Sequence, residues 1–204
     1  MSKFPLIVFE GIDGSGKTHH INKIKSYLKK KKIKFIILRE PGGSRNSEKI
    51  RKIILGKKNN FNETTDLFLY MASRSENINL IKKNLRKKAV ILDRFVDSTI
   101  AYQHYGQNLN LKLINSLNSF LLEGLEITHT FLLTINKKNL FNRINEKRKN
   151  RYDSFSNIFY KNVQKGYLKL ARKKLNKYSI IDANLDKSIN EKIIIKKIHK
   201  IFNK

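Results

Sequence analysis

The stretch Leu6-Ile7-Val8-Phe9-Glu10-Gly11-Ile12-Asp13-Gly14-Ser15-Gly16-Lys17-Thr18 decides the fold. From Gly11 to Thr18 it fits G-x-x-x-x-G-K-[ST], and the apolar run before it reads as a buried strand. Ile21, Ile24 and Leu28 follow on one face of an amphipathic helix. Strand, glycine loop and helix in this order make a phosphate cradle. The glycines let backbone N–H groups turn inward on an anion, and the helix N-terminus adds the positive end of its dipole. In such a cradle Gly11, Ile12, Asp13, Gly14, Ser15 and Gly16 wrap the phosphates, Lys17 reaches the outer ones, and the Thr18 hydroxyl holds Mg²⁺. The chain reads as a nucleoside-triphosphate protein, against the alternative of a glycine turn followed by a chance Lys-Thr.

Beyond this unit, short apolar runs alternate with helical patterns. Strands are expected over 6–9, 35–38, 89–92, 130–135 and 179–181, each a compact Ile/Leu/Val/Phe run rather than an alternating one. That pattern belongs to a parallel sheet covered on both faces. Helices are expected over 18–31, 46–55, 64–86, 110–123, 137–149, 156–176 and 188–202. The fold class is therefore α/β, a doubly wound five-stranded parallel sheet flanked by helices, with ligands at the carboxyl ends of the strands.

Composition narrows the class. A chain of 204 residues suits one domain, spanning 1–204, with a full core. No apolar run approaches the roughly 20 residues needed to span a bilayer, the first apolar run is too short for a signal peptide, and there is no cysteine for disulfides or thiolate metal sites. A cytoplasmic protein without membrane contact is the expectation. The net charge of +28, from 44 basic and 16 acidic residues, raises the question of nucleic acid. Lysine is spread over nearly every helix, however, as at Lys29 to Lys32, Lys82-Lys83, Lys173-Lys174 and Lys196-Lys197. Lys, Asn and Ile, all abundant here, share A/T-rich codons. Most of the charge reads as compositional bias on solvated surfaces, with no specific nucleic-acid partner.

Several constellations carry chemistry. Asp93 ends the third strand beside the loop, where a carboxylate orients Mg²⁺ in proteins of this kind, or else caps the next helix. Arg94 follows, a planar fork able to grip a phosphate. Arg39 and Glu40 end the second strand before the turn Pro41-Gly42-Gly43, either as substrate contacts or as a salt-bridged turn. Tyr70 and Arg74 stand one helical turn apart, so ring and guanidinium face the same way. The alternative is a core Tyr with a surface Arg. Thr99, Tyr102 and Gln103 present a hydroxyl, a ring and an amide to one ligand if a helix begins near Asp97. Arg143, Lys147, Arg148, Lys149 and Arg151 cluster in the polar segment 136–154, which reads as a flap bringing charge over a transferring phosphoryl group, or as a wet surface.

Taken together, F-E-G-I-D-G-S-G-K-T, R-E-P-G-G-S, D-R-F-V-D-S-T-I-A-Y-Q and the closing I-I-D-A-N resemble bacterial thymidylate kinases, of the P-loop nucleoside monophosphate kinase superfamily, over about residues 4–186. The resemblance implies transfer of the γ-phosphoryl of ATP to dTMP, with Mg²⁺, and a lid at about 137–154. It implies that Asp13 lies near the acceptor's sugar hydroxyl and phosphate, that Arg39 and Glu40 lie near that phosphate and Mg²⁺, and that Arg51 frames the pocket. Mg²⁺ ligands would be Thr18, Asp93 and Glu40. Arg94 would hold the acceptor phosphate. Tyr70 stands where the family usually has a Phe stacked on thymine, and Arg74 where an Arg bonds its edge. Thr99 and Gln103 match base contacts, and Tyr102 a ring near the sugar's C2′. The loop 12–15 contains no basic residue, so the chain is similar to members whose lid supplies the cations, with Arg143 and Arg151 as the best matches. His104-Tyr105-Gly106-Gln107 departs from the glycines and Arg usual there, and Asn150 from an Asp. Members are commonly homodimers, and an apolar face around Leu67, Leu69 and Met71 allows this. The competing readings are a kinase of another nucleoside monophosphate or deoxynucleoside, and a basic P-loop ATPase that binds nucleic acid.

Overall fold

Strand β1 (Leu6–Glu10) has every residue buried, which requires neighbours on both edges and cover on both faces. The computed structural model, which describes residues 4–56, 58–136, 139 and 155–203, supplies both. The parallel sheet runs in the order β2-β3-β1-β4-β5, with β2 at Phe35–Arg39, β3 at Ala89–Asp93, β4 at His129–Thr134 and β5 at Tyr178–Asp182. Chain order reverses around β1, so the crevice at its carboxyl end is the switch point where ligands bind in open α/β sheets. The register keeps these ends level, Phe9 and Arg39 each pairing with Asp93.

Strand periodicity of two sends alternate residues to opposite faces. Ile7, Phe9, Ile91, Phe131 and Leu133 pack beneath helices α1 (Lys17–Lys30) and α7 (Lys187–Phe202), through Ile21, Ile24, Leu28, Ile194 and Ile198. Leu6, Val8, Val90 and Leu92 pack against α3 (Glu63–Leu85) through Ile78, Ile81 and Leu85. Leu132 and Ile135 meet Val163 and Tyr167 of α6 (Asn157–Arg172). Helix starts follow local chemistry. Ser44 caps α2 (Arg45–Leu55), Asn62 caps α3, Asn110 caps α5 (Leu111–Leu122), Ser156 caps α6 and Asp186 caps α7, each side chain accepting from a backbone N–H.

The strands lie where expected, to within a residue at each end. Two helical expectations change. The helix expected over 156–176 ends at Arg172 and is followed by a separate 3₁₀ turn, Leu175–Lys177. The conditional helix near Asp97 exists as α4, an α-helical turn Val96–Thr99 that widens into a π-helix over Ile100–Gly106. The expected helix 137–149 and the lid lie outside the described residues, apart from Asn136 and Asn139. The apolar face expected for dimerisation is also corrected. Leu67 and Met71 are buried within the chain's own core against Ile100 and Ile114, because α5 and the π segment cover that side of α3. On these two helices the exposed large apolar groups are Phe68 of α3 and Leu113 and Phe120 of α5. Among the described residues, no helix is long and apolar enough to cross a membrane.

Phe9 and Phe131 stack at 5.0 Å between adjacent central strands, directly below the phosphate loop. Replacing Phe131 with Ala should lower unfolding free energy by about 3–5 kcal/mol, from lost burial and the cavity left behind. Urea unfolding followed by circular dichroism would measure it.

Candidate active site

The loop after β1 is built on close approaches that side chains would forbid. Gly11 has φ 137°, and a Cβ there would collide with the Leu133 carbonyl oxygen. Gly16, at φ 94°, turns the chain into α1. Lys17 opens α1 buried, and its Nζ donates to the carbonyls of Gly11 at 2.9 Å and Ile12 at 3.1 Å. Burial lowers the Lys17 ammonium to about 8, and Arg94 adds repulsion, against the pull of Asp93, Asp13 and Glu10. Thr18 is exposed at the helix start.

The other strand ends converge here. The Glu40 N–H donates to the Asp93 carbonyl, and the Arg94 N–H to the Phe9 carbonyl, both at 2.9 Å. Arg94 adopts φ 70°, the left-handed region, at a cost of roughly 1–2 kcal/mol for a residue with a Cβ. Its guanidinium lies 5.1 Å from the Tyr102 ring centroid and donates from Nη2 to Asp13 Oδ1 at 2.9 Å and to the Tyr102 hydroxyl at 3.2 Å. The Tyr102 hydroxyl in turn donates to Asp13 Oδ2 at 3.0 Å. Burial would raise the Asp13 carboxyl, but the charges of Arg94 and Lys17 and these hydrogen bonds outweigh it and hold it at about 2.

Beside this pair opens a cleft lined by Asp13, Glu40, Arg51, Tyr70, Arg74, Arg94, Thr99, Tyr102 and Gln103, with Pro41, Leu55, Phe95 and Ser98. Residues from the loop, β2, α2, α3 and α4 that the sequence grouped as an acceptor site are thus brought together. Arg39 is the exception. It points away from the cleft into an exposed pair with Glu48, at 2.9 Å. The salt-bridged-turn reading of R-E-P-G-G describes Arg39, whereas Glu40 turns inward.

Tyr70 and Arg74 both face the cleft, but Arg74 is no surface residue. It is 2% exposed, and its Nε donates to Glu40 Oε2 at 2.8 Å. Its Nη1 reaches Asn118 Oδ1 at 2.6 Å and its Nη2 reaches Thr99 Oγ1 at 3.0 Å. One guanidinium therefore ties β2, α3, α4 and α5 together. Burial raises the Glu40 carboxyl, and Arg74 opposes that shift. Arg51 is half-buried and donates to the Pro41 carbonyl at 2.6 Å. The π-helix carries Tyr102 and Gln103 on wider turns than an α-helix would, and such segments recur at functional sites.

Asp93 Oδ1 is buried with no hydrogen-bond partner. Among the described residues, no three His, Cys, Asp or Glu side chains cluster as metal ligands. Asp93, the Thr18 hydroxyl and the oxygens of a nucleotide's phosphates would suit Mg²⁺, which takes oxygen ligands and needs only one or two carboxylates. Glu40 shares its carboxylate with Arg74. Arg143 and Arg151 lie outside the described residues.

Sequence reasoning missed four contributors. Glu10 and Tyr167 lie behind Arg94, Ser98 touches both of them, and Asn118 anchors Arg74. Glu10 carried a readable signal, as an acid closing a wholly apolar strand must find partners when buried. Below them burial, and then Glu10, raise the Asp97 carboxyl to about 7, while the Tyr178 hydroxyl donates to it at 2.5 Å.

A glycine loop at the switch point, facing a cleft of Arg and aromatic groups across the strand ends, defines an ATP-dependent nucleoside monophosphate kinase. The comparisons with known proteins go further. The family model described as thymidylate kinase matches residues 9–194. A thymidylate kinase of Clostridium novyi is 38% identical over 94% of this chain and 97% of its own length, and one of Kosmotoga olearia is 33% identical over 92% of each. The crystal structure of a thymidylate kinase from Ehrlichia chaffeensis superposes with a TM-score of 0.77 at 30% identity, covering 96% of this chain and 98% of that one. The chain belongs to the thymidylate kinase family.

Arg74→Ala leaves Glu40 buried without its partner, so unfolding free energy should fall by about 3–5 kcal/mol near neutral pH. Glu40's folded-state carboxyl is already raised and would rise further. The deficit is therefore full above that value and shrinks as pH falls toward the ordinary carboxylate range, where Glu40 takes up a proton. Urea titrations of parent and variant at several pH values would read both effects.

Proposed function

We propose that the protein transfers the γ-phosphoryl group of ATP to dTMP, forming dTDP and ADP. A phosphate oxygen of dTMP attacks the γ-phosphorus as the bond to the β–γ bridging oxygen breaks, and the negative charge leaves on ADP. The observation that carries this reading is the Arg94–Asp13 pair, which joins the phosphate loop to the acceptor cleft at one strand edge. Lys17, on the loop, takes the donor's outer phosphates, moving its Nζ from the loop carbonyls to phosphate oxygens. Arg94, with Arg51 alongside, takes the acceptor phosphate. Arg39 joins only if its pair with Glu48 opens. Tyr70 stacks on the base, Arg74, Thr99 and Gln103 meet its edge, and Tyr102 packs against the sugar. Thr18 and Asp93, with Glu40 as a further candidate, hold Mg²⁺, which neutralises phosphate charge when bound. Arg143 and Arg151 of the lid add further cations. No general base is needed, since positioning and charge neutralisation dominate phosphoryl transfer.

We further propose that the kinase acts in the cytoplasm as a homodimer through the face of α3 and α5 that exposes Phe68 and Phe120, the latter 75% exposed. The domain spans 1–204 with the lid at about 137–154.

A coupled ADP-release assay with dTMP, dUMP, UMP, AMP and thymidine tests the central reading. dTMP should give the highest kcat/KM, with dUMP weaker by no more than about 1–3 kcal/mol, the worth of one methyl. Lys17→Ala should reduce turnover to background. ADP release that is indifferent to dTMP, or that responds to DNA or RNA instead, would contradict the reading.

The charged form of Lys17 binds phosphate, and its ammonium lies at about 8. Hence kcat/KM for ATP should be full below that pH and decline above it. A flat profile to pH 9.5 would remove Lys17 from the donor site.

A further inference from the structure

Behind Arg94, away from the cleft, lies a buried carboxylate that never touches it. Glu10, 1% exposed, accepts at Oε1 from the backbone N–H of Phe95 at 2.8 Å and of Ser98 at 3.2 Å, fixing the start of α4. Its Oε2 accepts from the Ser98 hydroxyl at 2.6 Å and the Tyr167 hydroxyl at 3.0 Å. Those two oxygens stand 2.7 Å apart, and each also accepts from Arg94 Nη1, at 3.2 Å and 3.1 Å. The 2.7 Å contact is a hydrogen bond that either hydroxyl can donate, so at least one of their two protons goes to the carboxylate, and both oxygens keep lone pairs for the guanidinium. Arg94 is thereby gripped from two sides, Nη2 by Asp13 and Tyr102 in front, Nη1 by Ser98 and Tyr167 behind.

Tyr167 comes from far along the chain, on α6, and its arrival is built into the packing. Its neighbour Gly166 lies so close to the Tyr105 ring of the π segment that a Cβ there would collide with it. The Tyr167 ring meets the Tyr102 ring edge-on at 6.4 Å. Arg94 needs such a clamp, because its left-handed backbone persists only where the surroundings over-determine it.

We propose that Glu10, acting through the Ser98 and Tyr167 hydroxyls, is the device that holds Arg94 aimed at the acceptor phosphate, so that Tyr167 is a positioning residue that acts on the phosphate through the guanidinium it touches. This rests on the acceptor reading given above. It assigns Tyr167 an effect on the phosphate of the acceptor and none on its base.

Calorimetric titration with dTMP and, separately, with thymidine tests the idea, because thymidine carries the base and sugar without the phosphate. Tyr167→Phe keeps the ring and its packing and deletes one oxygen. It should weaken dTMP about tenfold, the scale of one hydrogen bond to a charged group, while thymidine stays within about twofold. Ser98→Ala should show the same selectivity, and the double variant should lose less than the product of the two, since both act on one guanidinium nitrogen. Equal losses for dTMP and thymidine would reveal a merely structural role and overturn the proposal. So would dTMP binding unchanged in both single variants. A parent protein that bound neither ligand would instead overturn the acceptor reading, and this inference with it.

Discussion

The ion pair between Arg94 and Asp13 is the interaction on which the site depends. It spans two strand ends, joining the residue after β3 to the middle of the phosphate loop after β1. A parallel sheet makes this possible by bringing all its carboxyl ends to one edge, and β1 occupies the switch point there. A left-handed residue at position 94 then turns the side chain over the loop, giving up roughly 1–2 kcal/mol of backbone energy. The local strain is offset by several charge-assisted hydrogen bonds, each stronger than a neutral one. The phosphate loop and the cleft share a wall because of this one side chain.

A second buried guanidinium does for the cleft what Arg94 does for the loop. Arg74 takes its partners from β2, α4 and α5, so the cleft walls are cross-linked by a charge rather than packed apolar side chains. Such a centre is costly to desolvate and contributes specificity of arrangement more surely than stability. Its geometry keeps Thr99 and Glu40 in fixed relation while Tyr70, one turn away on α3, remains on the cleft wall. The π segment adds to this by carrying Tyr102 and Gln103 into the same space.

Local chemistry made much of this legible. The loop motif, the compact apolar runs and the polar caps are each decided within a few residues, so strands and most helices fall where periodicity places them. What the sequence left open are relations between distant segments. Tyr70 and Arg74 announce a shared face through their spacing, but whether that face looks on solvent or on a cleft depends on Asn118 and Thr99, remote in the chain. Arg39 and Glu40 are adjacent yet diverge, because successive residues leave a strand end in opposite directions. Leu67 and Met71 look like a free apolar stripe until the π segment and α5 are laid across them. Glu10 and Tyr167 were invisible as a pair, since nothing local relates the end of the first strand to a helix near the end of the chain.

Binding of dTMP hinges on Arg94, the group proposed above to receive the acceptor phosphate. Calorimetry of Arg94→Gln with dTMP and with a nonhydrolysable ATP analogue tests this most directly. If Arg94 has that role, dTMP affinity falls by about a hundredfold, the scale of losing a charged, bidentate partner, while the analogue binds within several-fold of the parent. Undiminished dTMP binding in a folded variant would contradict it.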